Sequence, residues 1–178
     1  QTMIVIQDFE TPAGEMILGS CRDSLCLCDW KKSRWIYRNL ERASRILQAG
    51  IKEGDSEVIL LAKSQLNDYF SGVRVKFDIP LLLTGTPFQK SVWEALMKIP
   101  YGNTVTYSDI AEEIGCVSAV RAVAGAVGAN PISIIVPCHR VIGRNGTLTG
   151  YAGGLYAKRL LLHLELCNEN GLTDFKSK

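Results

Sequence analysis

The feature that most restricts how this chain can fold is a pair of helix patterns with almost nothing between them. Thr106 opens a short helix, with Asp109 three residues on to reach back, and the pattern runs to Ile114. Gly115-Cys116-Val117 forms a tight turn, and Ser118 caps a further helix that runs towards Gly128 and Asn130. A helix, a three-residue turn containing Gly and a second helix make a helix-turn-helix. The second helix is dense in Ala and Gly, with Arg121 as its one charge. Small side chains let its backbone approach a partner closely, although each Gly costs about 1 kcal/mol of helix stability relative to Ala. The alternative is an internal helix packed tightly on a neighbour. Arg121 in the middle of so smooth a surface favours a face that enters a groove.

The charge distribution bears on the same question. Residues 1–85 carry eleven Lys/Arg against eleven Asp/Glu, whereas Ile114 to Leu164 holds Arg121, Arg140, Arg144, Lys158 and Arg159 and no acidic residue. Such a stretch is a candidate footprint for a polyanion. The net charge of +2 over 178 residues neither demands nor excludes a nucleic-acid partner. With 47% apolar and 21% charged residues the chain buries a core, which excludes a disordered tail. No apolar run approaches the roughly eighteen residues of a membrane helix, and no charged-then-apolar signal segment stands at the N-terminus.

Around this centre the chain reads as two halves of an α+β fold: an N-terminal strand/helix lobe, 1–84, and a mostly helical domain containing the helix-turn-helix, 85–168, with 169–178 as a flexible tail. Residues 3–9, 15–21 and 25–31 read as strands, with turn signals at Thr11-Pro12-Ala13-Gly14 and Arg22-Asp23-Ser24. The spacing predicts a helix over 34–48, with Ile36, Leu40, Ile46 and Leu47 on one side and Gly50 as its stop. A second helix is predicted from Ser56 to Phe70, and a strand at Val75–Ile79. The second half opens at Thr86-Pro87-Phe88-Gln89, a capping Thr, a first-turn Pro and a Gln that reaches back.

Six cysteines, at 21, 26, 28, 116, 138 and 167, match no disulfide framework. A reducing compartment, the cytoplasm, is expected. Cys21, Cys26 and Cys28 lack a nearby His or a second finger-like Cys pair, so they are read as small hydrophobes in strand positions rather than metal ligands.

Ile132-Ser133-Ile134-Ile135-Val136 reads as a buried strand, and it ends in Pro137-Cys138-His139-Arg140. A Cys in that position beside His and Arg is where an activated thiolate would sit, since cationic or basic neighbours lower a thiol's pKa. The dipeptide alone also fits a core Cys with a satisfied His.

The longer stretch Pro137-Cys138-His139-Arg140-Val141-Ile142-Gly143 resembles the active-site motif of the O6-alkylguanine-DNA alkyltransferases, also called methylated-DNA–protein-cysteine methyltransferases. The resemblance runs from Gly85-Thr86-Pro87-Phe88-Gln89 to Glu165. It takes in Val105-Thr106-Tyr107, Arg121-Ala122-Val123, Asn130-Pro131, and Gly146 through Gly150-Tyr151 to Gly153-Gly154. The N-terminal half is similar only in its strand-then-helix order and its Thr-Pro-x-Gly start.

The resemblance implies a DNA repair protein that moves the alkyl group of O6-alkylguanine irreversibly onto Cys138, once per molecule and with no cofactor. His139 would take the thiol proton through a water. Glu165 would orient His139, Tyr107 would donate to N3 of the departing guanine, and Asn130 would hold the turn before the cysteine. Tyr151 and Ala152 would line the pocket, and the carbonyls of Cys138 and Val141 would accept from the guanine amino group. The DNA contacts would fall on Ser118, Arg121, Ala122 and Val127, the helix lying in the minor groove of double-stranded DNA and Arg121 filling the gap left by a flipped base. A monomer is expected. Ala152 stands where some members have Ser, which leaves a backbone amide as the donor to O6. The rivals are a helix-turn-helix regulator with an inert Cys138 and a cysteine hydrolase.

Overall fold

The turn that joins the second and third strands is of the kind a right-handed sheet requires. In the computed structural model, which describes residues 1–168, β1 (Met3–Thr11), β2 (Gly14–Cys21) and β3 (Ser24–Trp30) form an antiparallel meander. Arg22 and Asp23 both take positive φ between paired Cys21 and Ser24, the two-residue geometry whose twist matches the strands. The flexible tail expected at 169–178 lies outside the described residues. β4 (Gly50–Glu53) adds in parallel beside β1, giving the order β3-β2-β1-β4. α1 (Ile36–Leu47) packs Ile36, Leu40, Ala43 and Leu47 with Ile4, Cys26 and Leu27. α2 (Glu57–Phe70), capped by Ser56, packs with Met16, Leu18 and Leu25.

The second half supplies α3 (Pro87–Leu96), α4 (Tyr107–Glu113), α5 (Val120–Gly128) and α6 (Gly154–Cys167), with a short parallel pair, β5 (Val105–Thr106) and β6 (Val141–Ile142). Both predicted capping boxes form: Thr86 with Gln89 and Thr106 with Asp109 each exchange side-chain and backbone bonds. Trp93 of α3 donates its indole N–H to the Ala126 carbonyl of α5 at 2.8 Å. The main hydrophobic core takes residues from both halves, Met16, Leu18 and Tyr69 together with Trp93, Ile132, Val136 and Leu161. Arg42 of α1 crosses between them, donating to the carbonyls of Thr84 (3.0 Å) and Ala129 (2.9 Å). The architecture is α+β, as the residue patterns indicate.

Several local expectations fail, each for a physical reason. Ile46 is 44% exposed, and α1 ends through Gln48 in the left-handed region, leaving Gly50 free to begin β4. Val75–Ile79 is not a strand. Gln65 of α2 clamps the backbone of Asp78 from both sides, and pairing is displaced to Pro80–Leu82, which brackets Leu25. Ser118 does not cap α5. The Cys116 N–H bonds Ala111 and the Ala119 N–H bonds Cys116, so the turn runs on through Ser118 and α5 starts at Val120 without a side-chain cap. Ile132–Val136 is also not a strand. Ile132 bridges Cys28, Ile134 takes φ of 72°, and the Val136 N–H returns to the Ile132 carbonyl. A branched apolar run signals burial equally well for a packed turn.

Candidate active site

Asn130 makes that buried turn possible. Its side chain donates to the Val136 carbonyl at 2.9 Å and accepts from the Ile132 N–H at 3.0 Å, so backbone groups removed from water stay paired. The chain then enters a single 3₁₀ turn, Cys138–Arg140, which replaces the expected strand end. Cys138 is 6% exposed and stands in the wall of a pocket of about 910 Å³. Burial pushes its thiol up to about 11, and Asn130, Lys158 and Ser133 offset this only in part. At neutral pH the resting group is therefore the thiol, and its reaction needs a base.

The candidate base is His139, the next residue in the same turn. It is fully buried, and its Nε2 lies 2.6 Å from Glu165 Oε2. Burial lowers the imidazole pKa, with Glu165 opposing, so the ring rests neutral. The carboxylate assigns the proton to Nε2 and leaves a lone pair on Nδ1, which has no partner among the described residues. Glu165 is itself saturated. Tyr69 Oη donates to Oε2 at 2.7 Å, Arg140 spans both oxygens at 2.8 and 3.0 Å, and the Gly102 N–H reaches Oε1 at 3.2 Å. Burial alone would raise this carboxyl, but His139 and the Arg140 fork hold it well below the usual carboxylate range. A charge satisfied this way orients His139 without taking its proton.

The remaining expected residues divide into three groups. Tyr107, Val127, Tyr151 and Ala152 line the pocket, with the Tyr107 hydroxyl 2.9 Å from Thr149 Oγ1. Ser118, Arg121 and Ala122 are exposed on and beside α5, whose Ala124, Val127 and Gly128 line the pocket. Val141 does not line the pocket. It is buried, and its carbonyl accepts from Lys158 Nζ at 2.6 Å. Cys21, Cys26 and Cys28 are buried strand positions, and burial pushes the Cys26 thiol up to about 12. Among the described residues no group of three or more His, Cys, Asp or Glu side chains is placed to hold a metal.

The residue patterns missed several contributors. Lys158 was visible only as part of a basic stretch, and Arg140 only as a cationic neighbour of Cys138, not as the clamp on Glu165. Tyr69, Trp30, Arg34 and Trp35 come from the N-terminal half, which carried no chemical signal, yet Tyr69 bonds Glu165 and the other three line the pocket.

A buried thiol in the pocket wall, a neutral histidine next to it in sequence, a saturated carboxylate and a helix-turn-helix on the rim mark a candidate cysteine-nucleophile site. Residues 87–167 match the family described as 6-O-methylguanine DNA methyltransferase, DNA binding domain. A methylated-DNA–protein-cysteine methyltransferase of Methanosarcina acetivorans is 45% identical over 157 residues, covering 88% of this chain and 95% of that protein. Its counterpart in Mycobacterium bovis is 59% identical over 104 residues, 58% of this chain; the match spans 63% of that relative's length. The crystal structure of Mycobacterium tuberculosis O6-methylguanine methyltransferase superposes with a TM-score of 0.78 at 40% identity, over 98% of this chain and 99% of that one. The Mycobacterium tuberculosis protein has also been solved in complex with DNA, with a TM-score of 0.78 and coverage of 96% and 99%. The chain belongs to the methylated-DNA–protein-cysteine methyltransferase family.

Proposed function

We propose that this protein repairs O6-alkylguanine in double-stranded DNA by taking the alkyl group onto Cys138. The observation that carries the reading is the buried Cys138 in the pocket wall, followed in the same 3₁₀ turn by His139, whose Nδ1 has no partner among the described residues and whose Nε2 meets the saturated Glu165. The Cys138 thiol gives its proton to His139 through a bridging water, and sulfur attacks the alkyl carbon opposite O6. The C–S bond forms as the C–O6 bond breaks, and its electron pair leaves with the guanine. Tyr107 donates to N3 as that charge builds, and the base regains the proton the thiol lost. The product is a thioether, stable in water, so each molecule acts once. Asn130 holds the turn that aims the sulfur.

The pocket wall is shared with α5, which suits a base rotated out of a duplex, because a reacting atom inside the stack is out of reach. Ala122, Gly125 and Gly128 are exposed on that helix and form a low surface fitted to a minor groove, with Ser118 beside its start. Arg121 fills the space the base leaves, and Val127 packs against the flipped base. The protein acts as a monomer. The six free cysteines fit a reducing compartment, the cytoplasm, and no described helix is long and apolar enough to cross a membrane. The family match beginning at residue 87 supports a lobe boundary near residue 84.

Arg121→Ala separates extrusion from chemistry. Its second-order rate on well-paired methylated duplex is expected to fall about tenfold or more, because base extrusion costs a few kcal/mol. On the free O6-substituted base, which needs no flipping, the rate should hardly change. Arg121→Lys should recover part of the loss, since a thin ammonium fills less of the stack than a planar guanidinium. Equal slowing on both substrates would place Arg121 in support of the pocket and end its flipping role.

A further inference from the structure

Five hydrogen bonds converge on the Glu165 carboxylate, which offers roughly four lone-pair positions. Arg140 Nε and the Gly102 N–H serve Oε1. Three donors share Oε2: His139 Nε2 at 2.6 Å, the Tyr69 hydroxyl at 2.7 Å and Arg140 Nη2 at 3.0 Å. Arg140 alone matches the charge, so burial of the carboxylate does not call for a phenol as well. Tyr69 is fully buried in the last turn of α2, its ring set against Phe70, Phe77 and Tyr101 at centroid distances of 5.3, 5.6 and 6.2 Å. Burial, with Glu165 adding to it, raises the phenol well above its usual value, so the hydroxyl stays a donor at any working pH.

Resting on the proposed repair reaction, we propose that Tyr69 is a positioning residue for alkyl transfer: by sharing Glu165 Oε2 with His139, it keeps His139 unprotonated at rest and its Nδ1 lone pair free for the Cys138 proton. The N-terminal lobe thereby supplies part of the reaction centre as well as a wall of the pocket.

An acceptor divides its charge among its donors. A phenol bonded to Oε2 stabilises the carboxylate and weakens what that oxygen offers to a positive ring beside it. Were Oε2 released from Tyr69, it would favour the charged imidazolium more strongly, and a protonated Nδ1 takes no proton from a thiol. The other groups around the ring are ions. Burial, Arg140 and Lys158 disfavour a positive His139, whereas Glu165 favours one. Tyr101 adds a second phenol beside Tyr69, and the Arg140 guanidinium lies 5.6 Å over its ring. Tyr69 carries no charge, so its hydroxyl can be withdrawn from Oε2 without stranding an ion.

The test is Tyr69→Phe, which keeps the ring and its three aromatic contacts. Second-order rates of Cys138 methylation by a duplex bearing O6-methylguanine are measured across the pH range in which circular dichroism shows both proteins folded. In the wild type the rate falls on the acid side as His139 takes up a proton. In the variant this limb is expected about half a pH unit higher, making it about threefold slower there, the worth of part of one hydrogen bond. The two rates draw together as the pH rises. Asp29, raised by burial to about 6, acts on Cys138 in both proteins alike and drops out of the comparison. A ring-fluorinated tyrosine in place of Tyr69, a stronger donor of nearly the same size, should move the limb downward, and it stands alone should Tyr69→Phe fail to fold. A limb that stays where the wild type has it, whatever the rate above it, would reduce Tyr69 to packing. Wild type that takes no methyl group from the duplex would instead overturn the repair reaction, and the role of Tyr69 with it.

Discussion

Cys138→Ser is expected to end alkyl transfer while leaving the fold and the binding of methylated duplex nearly as they are. The exchange of sulfur for oxygen is small in volume and falls at a site only 6% exposed, so the turn held by Asn130 has no reason to move. The chemistry does not survive it. The buried thiol, at about 11, still lies within reach of activation by His139, whereas a serine hydroxyl is a far weaker acid and a poorer nucleophile towards saturated carbon. Anisotropy of a labelled duplex should report wild-type affinity, and no alkylated protein should accumulate over the time in which the wild type reacts fully. A Ser variant that clears methylated guanine at a comparable rate would remove Cys138 as the nucleophile.

Glu165→Leu is expected to have the largest effect on stability. It strands the Arg140 guanidinium, buried at 6% exposure, and leaves Tyr69 Oη and His139 Nε2 without their acceptor. Breaking a buried pair from one side costs about 3–5 kcal/mol, a large part of the roughly 5–15 kcal/mol that holds a domain together. Chemical denaturation at pH 7 measures it. Glu165→Leu with Arg140→Met should recover much of the loss, because no charge is then left buried alone; a double variant no better than the single would assign the loss to packing. The pH dependence has a definite sign. The native carboxyl is depressed, so the wild-type advantage is complete above the unfolded carboxyl's value of about 4.3 and drains away only as the pH falls towards the lower native value. His139, held neutral by burial, adds a second loss on acidification, beginning below the unfolded histidine's value of about 6.5.

What the residues revealed in advance follows the range over which each interaction acts. The Thr86 and Thr106 caps close within three residues, so composition and spacing suffice to read them. The strands of the first half alternate against a local turn geometry and were equally plain. Val75–Ile79 and Ile132–Val136 misled because a branched run encodes burial and not the partner that satisfies its backbone. In one case that partner is Gln65, in the other the Asn130 side chain. Tyr69 was invisible for the opposite reason. Its part in the site is a bond to a residue 96 positions away, which no local pattern at the end of α2 announces. The same holds for Trp30, whose strand position looked like any other core aromatic.

The central claim is that this chain carries away the lesion on one named sulfur. Purified protein mixed with duplex containing a single O6-methylguanine, then digested and read by mass spectrometry, tests it most directly. The expected result is one methyl group per chain, confined to the peptide bearing Cys138, with unmodified guanine left in the duplex and no further turnover when fresh duplex is added. Unchanged protein beside intact lesion, a methyl group on another residue, or repair that continues beyond one equivalent would each contradict it.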